Sequence, residues 1–406
     1  MSYQFSDYIQ KEEHDSFVKG HPLCNLLQSS SWGSVKENWN NTIVGVYDDG
    51  KLVASSLVLI KPLPLHFTMM YIPRGPVMDY QNSALVSFFF KELKRFARKY
   101  HCLFITFDPA VHCNDYLLSE ANENRYPQTV EIITLLESAG AIFKGFTKAI
   151  DDTIQPRYHA NVYNDEMFET PSKTLKKALL TVKKKMIQVV PYHVEAVDDF
   201  SAVMHCTEER KQIHLRDADY FNRIMNVYGD DAVIFLAKLP LKKLYEDTVK
   251  LLKENENNLL KCPENAKKKR FTLEELHVSL TREEKELREY MQTDGDEAII
   301  SGALCVSFGN TAEILYAGMD ERYKRYMAPY ASFYNCMIWS FKKGCTSCNM
   351  GGIEGSLKGG LTQFKSNFKP VINEYIGEFD LPVYKSLYRL SQYAYKIRKS
   401  YFKKKA

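Results

Sequence analysis

Residues 241–294 differ from everything around them. Charged side chains of both signs are dense and nearly balanced there, and apolar residues recur only at helical spacing. Leu244, Thr248, Leu251 and Leu252 mark one face. Leu273, Leu276, Leu280, Leu287 and Tyr290 mark another. Between them Cys262-Pro263-Glu264-Asn265 cannot continue a helix. The pattern predicts two antiparallel helices whose apolar seam is self-contained, an arm reaching ~30 Å. Strand-like runs at 232–237 and 298–308 flank it, so the arm is an insertion within a folded lobe rather than a linker.

With 406 residues the chain exceeds the size at which one core stops growing, so two lobes are expected. Both read as mixed α/β (α+β). Runs 42–47 and 52–60 flank Asp48-Asp49-Gly50, a hairpin signal. Asn82 or Ser83 caps a helix to about Tyr100, 102–107 reads as a buried strand, and 127–139 as an amphipathic helix. Helical patterns at 170–186, 197–211 and 217–228 precede the arm, and one at 329–343 follows it. The expected organisation is a first lobe over 1–155, completed by about 376–406, a second lobe over 156–375, the arm at 241–294, and a basic amphipathic tail at 384–406. No apolar stretch is long enough to span a bilayer, and the first residues lack a secretory h-region. Nine scattered cysteines read as reduced thiols of a cytoplasmic protein. Cys345 and Cys348 have CxxC spacing, but no second pair completes a zinc site, so no metal is expected.

No nucleophile elbow, HExxH pair or Walker loop is present. The informative segments are loops rich in glycine, proline, arginine and aromatics. They run in order: Gln28-Ser29-Ser30-Ser31-Trp32 with Val35-Lys36; Tyr71 to Tyr80 (YIPRGPVMDY); Phe107-Asp108-Pro109; Asp152 to Arg157 (DTIQPR); Leu215 to Phe221 (LRDADYF). Then come Tyr316-Ala317-Gly318-Met319, Ala328-Pro329-Tyr330, Asn349 to Glu354 (NMGGIE), Phe364-Lys365 and Ile376-Gly377-Glu378-Phe379. The Asn349 segment reads as the opening of a flexible loop. In this order the segments resemble the Fem family of peptidoglycan aminoacyltransferases, and within it the MurM type most closely.

That resemblance implies two lobes like GCN5 acetyltransferases and transfer of an amino acid from aminoacyl-tRNA to a stem-peptide amine. It implies no cofactor, with aminoacyl-tRNA as co-substrate, and lipid II or UDP-MurNAc-pentapeptide as acceptor. Serine or alanine is the favoured donor residue and glycine the further option. A monomer associating peripherally with the inner face of the anionic cell membrane is expected. By motif match, Lys36 and Arg216 are assigned to the precursor diphosphate, with Tyr220, Tyr316 and Arg74 beside them. Lys365 and Phe364 are assigned to the reaction centre, and Asp108 is the candidate base. The chemistry is consistent with this: the donor ester is already activated and the nucleophile belongs to the substrate. The protein then has to position the reactants and stabilise an oxyanion.

Two charged segments add to the picture. Lys176, Lys177, Lys183 and Lys184 crowd one helix and suit a tRNA backbone, or else a solvated face. After Asp380 the chain carries no acidic residue, so the tail suits anionic lipid or RNA. Two other readings compete. An acyl-CoA-dependent N-acyltransferase would need a pyrophosphate loop of the form [Q/R]xxGx[G/A], which is absent. A non-catalytic coiled-coil adaptor would leave the polar loops unexplained.

Overall fold

The computed structural model describes residues 2–121, 124–163, 171–211 and 216–393. Two mixed sheets form its frame. The first runs Tyr3–Ser6, Asn40–Asp48, Lys51–Pro62, Thr68–Arg74, Cys102–Pro109, Phe379–Pro382, Ile142–Phe143, with Val77–Met78 on its third strand. The second runs Gln188–Tyr192, Ala232–Leu239, Ala298–Phe308, Thr311–Met319, Ser347–Ile353, Tyr158–Tyr163, Val371–Tyr375, His112–Leu117. Each has one parallel pair among the described strands, Thr68–Arg74 on Cys102–Pro109 and Thr311–Met319 on Ser347–Ile353.

The local chemistry explains these elements. Asp49 and Gly50 both take positive φ, 48° and 79°, which a two-residue hairpin needs to match strand twist. The Asn82 side chain accepts from the Leu85 amide at 3.0 Å and starts the helix Ser83–Arg98. That helix buries Phe89, Phe90, Leu93 and Phe96 on the first sheet.

The strands do not respect a division at residue 155. Phe379–Pro382 closes the first sheet, but His112–Leu117 pairs with Val371–Tyr375 in the second. A shared core also joins the lobes. Trp32, Val35, Leu57 and Tyr71 pack in one cluster with Phe200, Tyr220, Phe221 and Tyr228. The junction is therefore a packed interior, not a hinge.

The arm forms as two helices, Leu241–Leu260 and Lys267–Asp294, packed on each other. Its seam is not self-contained, contrary to expectation. Leu241, Leu244 and Leu287 are buried with Ala298, Tyr323, Tyr326 and Ala331 in the second lobe. Tyr323 donates to Asp294, and Arg325 pairs with Glu286. The heptad pattern shows that the helices pair, but not that their base is a core element. The stretch from Asn349 to Ile353 is likewise strand rather than loop. Gly351, with φ 82°, accompanies a register shift between Asn349 and Gly352, and a Cβ on Gly352 would sit 2.5 Å from Pro156. Of the tail, residues 385–393 are helical, with Tyr388 donating to Asp380 at 2.8 Å. Residues 394–406 lie outside the described part, as do Thr170 and Leu215.

Candidate active site at the lobe junction

Lys36 follows the short helix Ser30–Val35, which the Ser29 hydroxyl caps. Asp217 caps the helix Ala218–Tyr228 and so sets Tyr220 on its first turn. These two helices meet across the junction. The Lys36 ammonium donates to the Tyr220 hydroxyl at 3.2 Å and lies 4.8 Å from the Trp32 ring. The Arg216 guanidinium lies 5.0 Å from the Tyr220 ring, and the Tyr316 hydroxyl donates to that of Tyr220 at 3.4 Å. Burial, followed by the charge of Arg216, pushes Lys36 down to about 8. Among the described residues no carboxylate pairs with either cation. Two cations held close over aromatic faces, with phenols beside them, form a receptor for a dianion.

A second cluster lies beneath the junction. Parallel pairing sets Pro73 opposite Asp108 and Arg74 opposite Pro109. Arg74 has φ 51°, and its amide donates to Asp108 at 2.9 Å. Tyr71 donates to both Asp108 oxygens, at 3.2 and 3.3 Å. Arg74 in turn donates to the Pro156 carbonyl at 2.7 Å and lies 3.9 Å over the Tyr375 ring. Asp108 and Arg74 are only 1% and 2% exposed. Burial pushes the Asp108 carboxyl up to about 6, against the pull of Arg74.

From Arg74 a polar chain continues into the second sheet. Its guanidinium lies 2.9 Å from His159 Nε2. Arginine only donates, so Nε2 accepts; Nδ1 meets the Asn349 side-chain amide, 2.9 Å from Nδ2 and 3.2 Å from Oδ1. Burial keeps this imidazole neutral. Glu313, opposite Asn349 on the neighbouring strand, is pushed up to about 7 by burial, while Arg74 and Lys365 oppose that rise. Sequence reasoning missed His159, Glu313 and Tyr375. None stood in a motif, and only the strand pairings bring them together.

Lys365 and Phe364 end the helix Gly360–Lys365 and line a cavity of about 720 Å³. Lys365 donates to the Gly352 carbonyl at 2.8 Å. Phe364 packs 4.7 Å from the Tyr330 ring and 5.0 Å from Phe333. Ala317, Gly318 and Met319, which follow Tyr316 on the same strand, also line it. The dication cluster and the Lys365 cavity thus share one strand, but from different faces: Tyr316 packs with the junction cluster, and Ala317 with the cluster of Ile314 and Phe333.

The helix Lys173–Lys184 leaves Lys176, Lys177, Lys183 and Lys184 exposed. It packs against the helix Ala328–Lys342, whose Pro329, Tyr330 and Phe333 line the same cavity, and against the turn Ser366–Phe368. Lys185, by contrast, is paired with Glu283 of the arm.

The FemAB family model matches residues 9–396. The aminoacyltransferase FemA of Staphylococcus epidermidis is 28% identical, over 98% of either chain. The lipid II:glycine glycyltransferase of Staphylococcus haemolyticus is 26% identical over 94% of each. FemB of Staphylococcus epidermidis is 28% identical over 95% of this chain and 97% of its own. Among solved structures, the crystal structure of FemX superposes with a TM-score of 0.74 at 24% identity, over 96% of this chain and 99% of that one.

Proposed function

The chain belongs to the FemAB family, and on that premise we propose that it transfers an aminoacyl group from charged tRNA to the stem-peptide amine of lipid II. The observation that carries this reading is that the cluster of Lys36, Arg216, Tyr220 and Tyr316 shares the strand Thr311–Met319 with the wall of the cavity that Lys365 lines. In it, the dication cluster holds the acceptor diphosphate and the strand Thr311–Met319 guides the stem peptide to the cavity. There the acceptor amine attacks the ester carbonyl of the donor. A C–N bond forms, the ester C–O bond to the terminal ribose breaks, and the amine proton ends on the ribose hydroxyl. Lys365 faces the oxyanion that develops on the carbonyl, and Phe364 packs against the reacting end. Lys176, Lys177, Lys183 and Lys184 carry the tRNA backbone.

Asp108 and Arg74 receive a different role from the one their motifs suggest. Both oxygens of Asp108 are engaged and both side chains are nearly sealed from solvent. We assign them to positioning: they fix the floor of the junction and hold His159 and Tyr375, in place of proton transfer or substrate contact.

The relatives named for glycine transfer bring glycine ahead of serine and alanine as donor. The decisive assay incubates the protein with lipid II and tRNAs charged with glycine, serine or alanine, and identifies products by mass. A mass gain of one residue with lipid II supports the reading. No gain with any of the three charged tRNAs, on either lipid II or the UDP-linked precursor, refutes it.

A further inference from the structure

A turn over residues 63–67 joins the strands Lys51–Pro62 and Thr68–Arg74. Leu65 and His66 both take left-handed backbone conformations, with φ 61° and 60°. Turns normally place glycine or asparagine there, because a Cβ is disfavoured. Here the first of these residues is a leucine that is 84% exposed. Pro62 and Pro64 stiffen the approach, and the Leu63 amide donates to the Phe67 carbonyl at 2.8 Å, closing the base. The effect is to hold an apolar side chain outward, with partly exposed Leu63 and Phe67 behind it.

The surroundings indicate what it meets. Lys61 lies 5.4 Å over the Trp39 ring. Thr68 donates to the carbonyls of Tyr100, at 2.9 Å, and His101, at 3.3 Å, so the basic end of the helix Ser83–Arg98 sits at the base of the turn. Segments 60–70 and 93–104 contain no acidic residue, and Lys61, Arg95, Arg98 and Lys99 are exposed; Arg95 pairs with Glu92 and Lys99 with Asp7, which leaves Lys61 and Arg98 without an ion pair among the described residues. An apolar tip above a collar of tryptophan, tyrosine and cations matches the depth profile of an anionic bilayer surface. The turn also connects to the anion receptor: the Trp39 amide donates to the Lys36 carbonyl at 3.0 Å.

We propose that Leu63–Phe67 is a membrane-inserting finger that docks the enzyme on anionic lipid beside its acceptor. The docking function rests on the reading of a lipid-linked acceptor; the insertion itself does not. The finger places Lys36 near the headgroup plane, where the diphosphate of a lipid-linked substrate lies.

The test uses the full chain with vesicles of equal parts phosphatidylglycerol and phosphatidylethanolamine, at low and high salt. Leu65→Glu should lower partition about tenfold or more, since one leucine is no longer buried. Leu65→Phe should keep it. The difference should persist at high salt, where attraction of basic residues is screened. Thermal unfolding of both variants should match the parent, because Leu65 is 84% exposed. Turnover of lipid II in those vesicles should fall with partition for Leu65→Glu, while turnover of the water-soluble UDP-linked precursor stays unchanged. Equal partition of Leu65→Glu and parent at both salts overturns the proposal, as does parallel loss of turnover on the soluble precursor. If partition differs as stated but no acceptor is turned over by any of the proteins, the finger stands and the acceptor reading fails.

Discussion

The ammonium of Lys36 reaches the hydroxyl of Tyr220 across 184 residues of sequence and across the boundary between the lobes, at 3.2 Å. Lys36 hangs from a helix packed in the same cluster as the helix bearing Tyr220. The receptor is therefore set before ligand arrives, and no entropy is spent on closing a hinge. The cost is a cation kept out of water next to a second cation.

That cost gives a pH signature. Burial first, then Arg216, lowers Lys36 to about 8, so it is cationic below that pH and neutral above it. An anion receptor needs the cation. The acceptor kcat/KM should hold steady up to pH about 8 and fall beyond it, since that ratio reports the free enzyme. Lys36→Arg, always charged, should remove the fall. For stability the sign is opposite: the folded state disfavours the charged form, so Lys36 opposes folding below its folded pKa, and this is relieved as pH rises toward the ordinary lysine range. Lys36→Met should then unfold no lower than the parent at neutral pH while binding acceptor poorly. A flat profile in the parent would remove Lys36 from the receptor.

Lys365 and Arg216 should separate kinetically. A contact made only in the transition state lowers kcat, whereas one made equally in ground and transition states raises KM. Lys365→Met should lower turnover ~10²–10³-fold with acceptor KM nearly unchanged. Arg216→Met should chiefly raise acceptor KM. Single-turnover rates with preformed charged tRNA measure the first, and acceptor titrations the second. The reverse pattern would exchange the two roles.

What could be read in advance divides by the range of the signal. The cap at Asn82 and the Asp49-Gly50 turn are local, and three or four residues suffice to specify each, while the arm helices show in the apolar spacing along their own length. Lys36, Arg216, Tyr220 and Tyr316 came as a set only through family resemblance, since nothing in their spacing brings residue 36 to residue 220. His159 and Glu313 were invisible. Each looks like an ordinary strand residue until Asn349 is placed between them by two pairings, one antiparallel and one parallel. The Asn349 to Gly352 segment was misread because its glycines serve close packing on Pro156 and a bulge, not mobility.

Asp108→Asn distinguishes a positioning residue from a base. Asparagine can still accept from Tyr71 and from the Arg74 amide, but it leaves the nearly sealed Arg74 guanidinium without its counter-charge at 3.8 Å. Breaking a buried pair by neutralising one partner costs about 3–5 kcal/mol. The expected result is a clearly lowered unfolding temperature, with kcat at permissive temperature within about tenfold of the parent and an unshifted pH profile, against the 10²–10⁴-fold that removal of a general base takes. A fully stable variant with abolished turnover would restore Asp108 as the base.

The arm can be shortened only from its tip. Leu244 and Leu287 are 5% and 0% exposed, and both sit in the cluster with Tyr323, Tyr326 and Ala331. Removing residues 244–290 deletes both leucines and the Glu286 partner of Arg325. Each large apolar side chain lost from a core costs about 2–5 kcal/mol, so two approach the whole stability of a domain. That deletion should abolish cooperative unfolding. Removing only 252–275, with a short Gly-Ser connection, takes away the tip and leaves the anchored turns. It also removes Asn255, which is 2% exposed with both side-chain amide atoms unpartnered, a buried polar group that destabilises the arm. The short deletion should therefore unfold as one transition near the parent temperature. Calorimetry on both deletions decides the matter: two equally folded proteins would mean that the base of the arm is not part of the core, and two unfolded ones that the tip is.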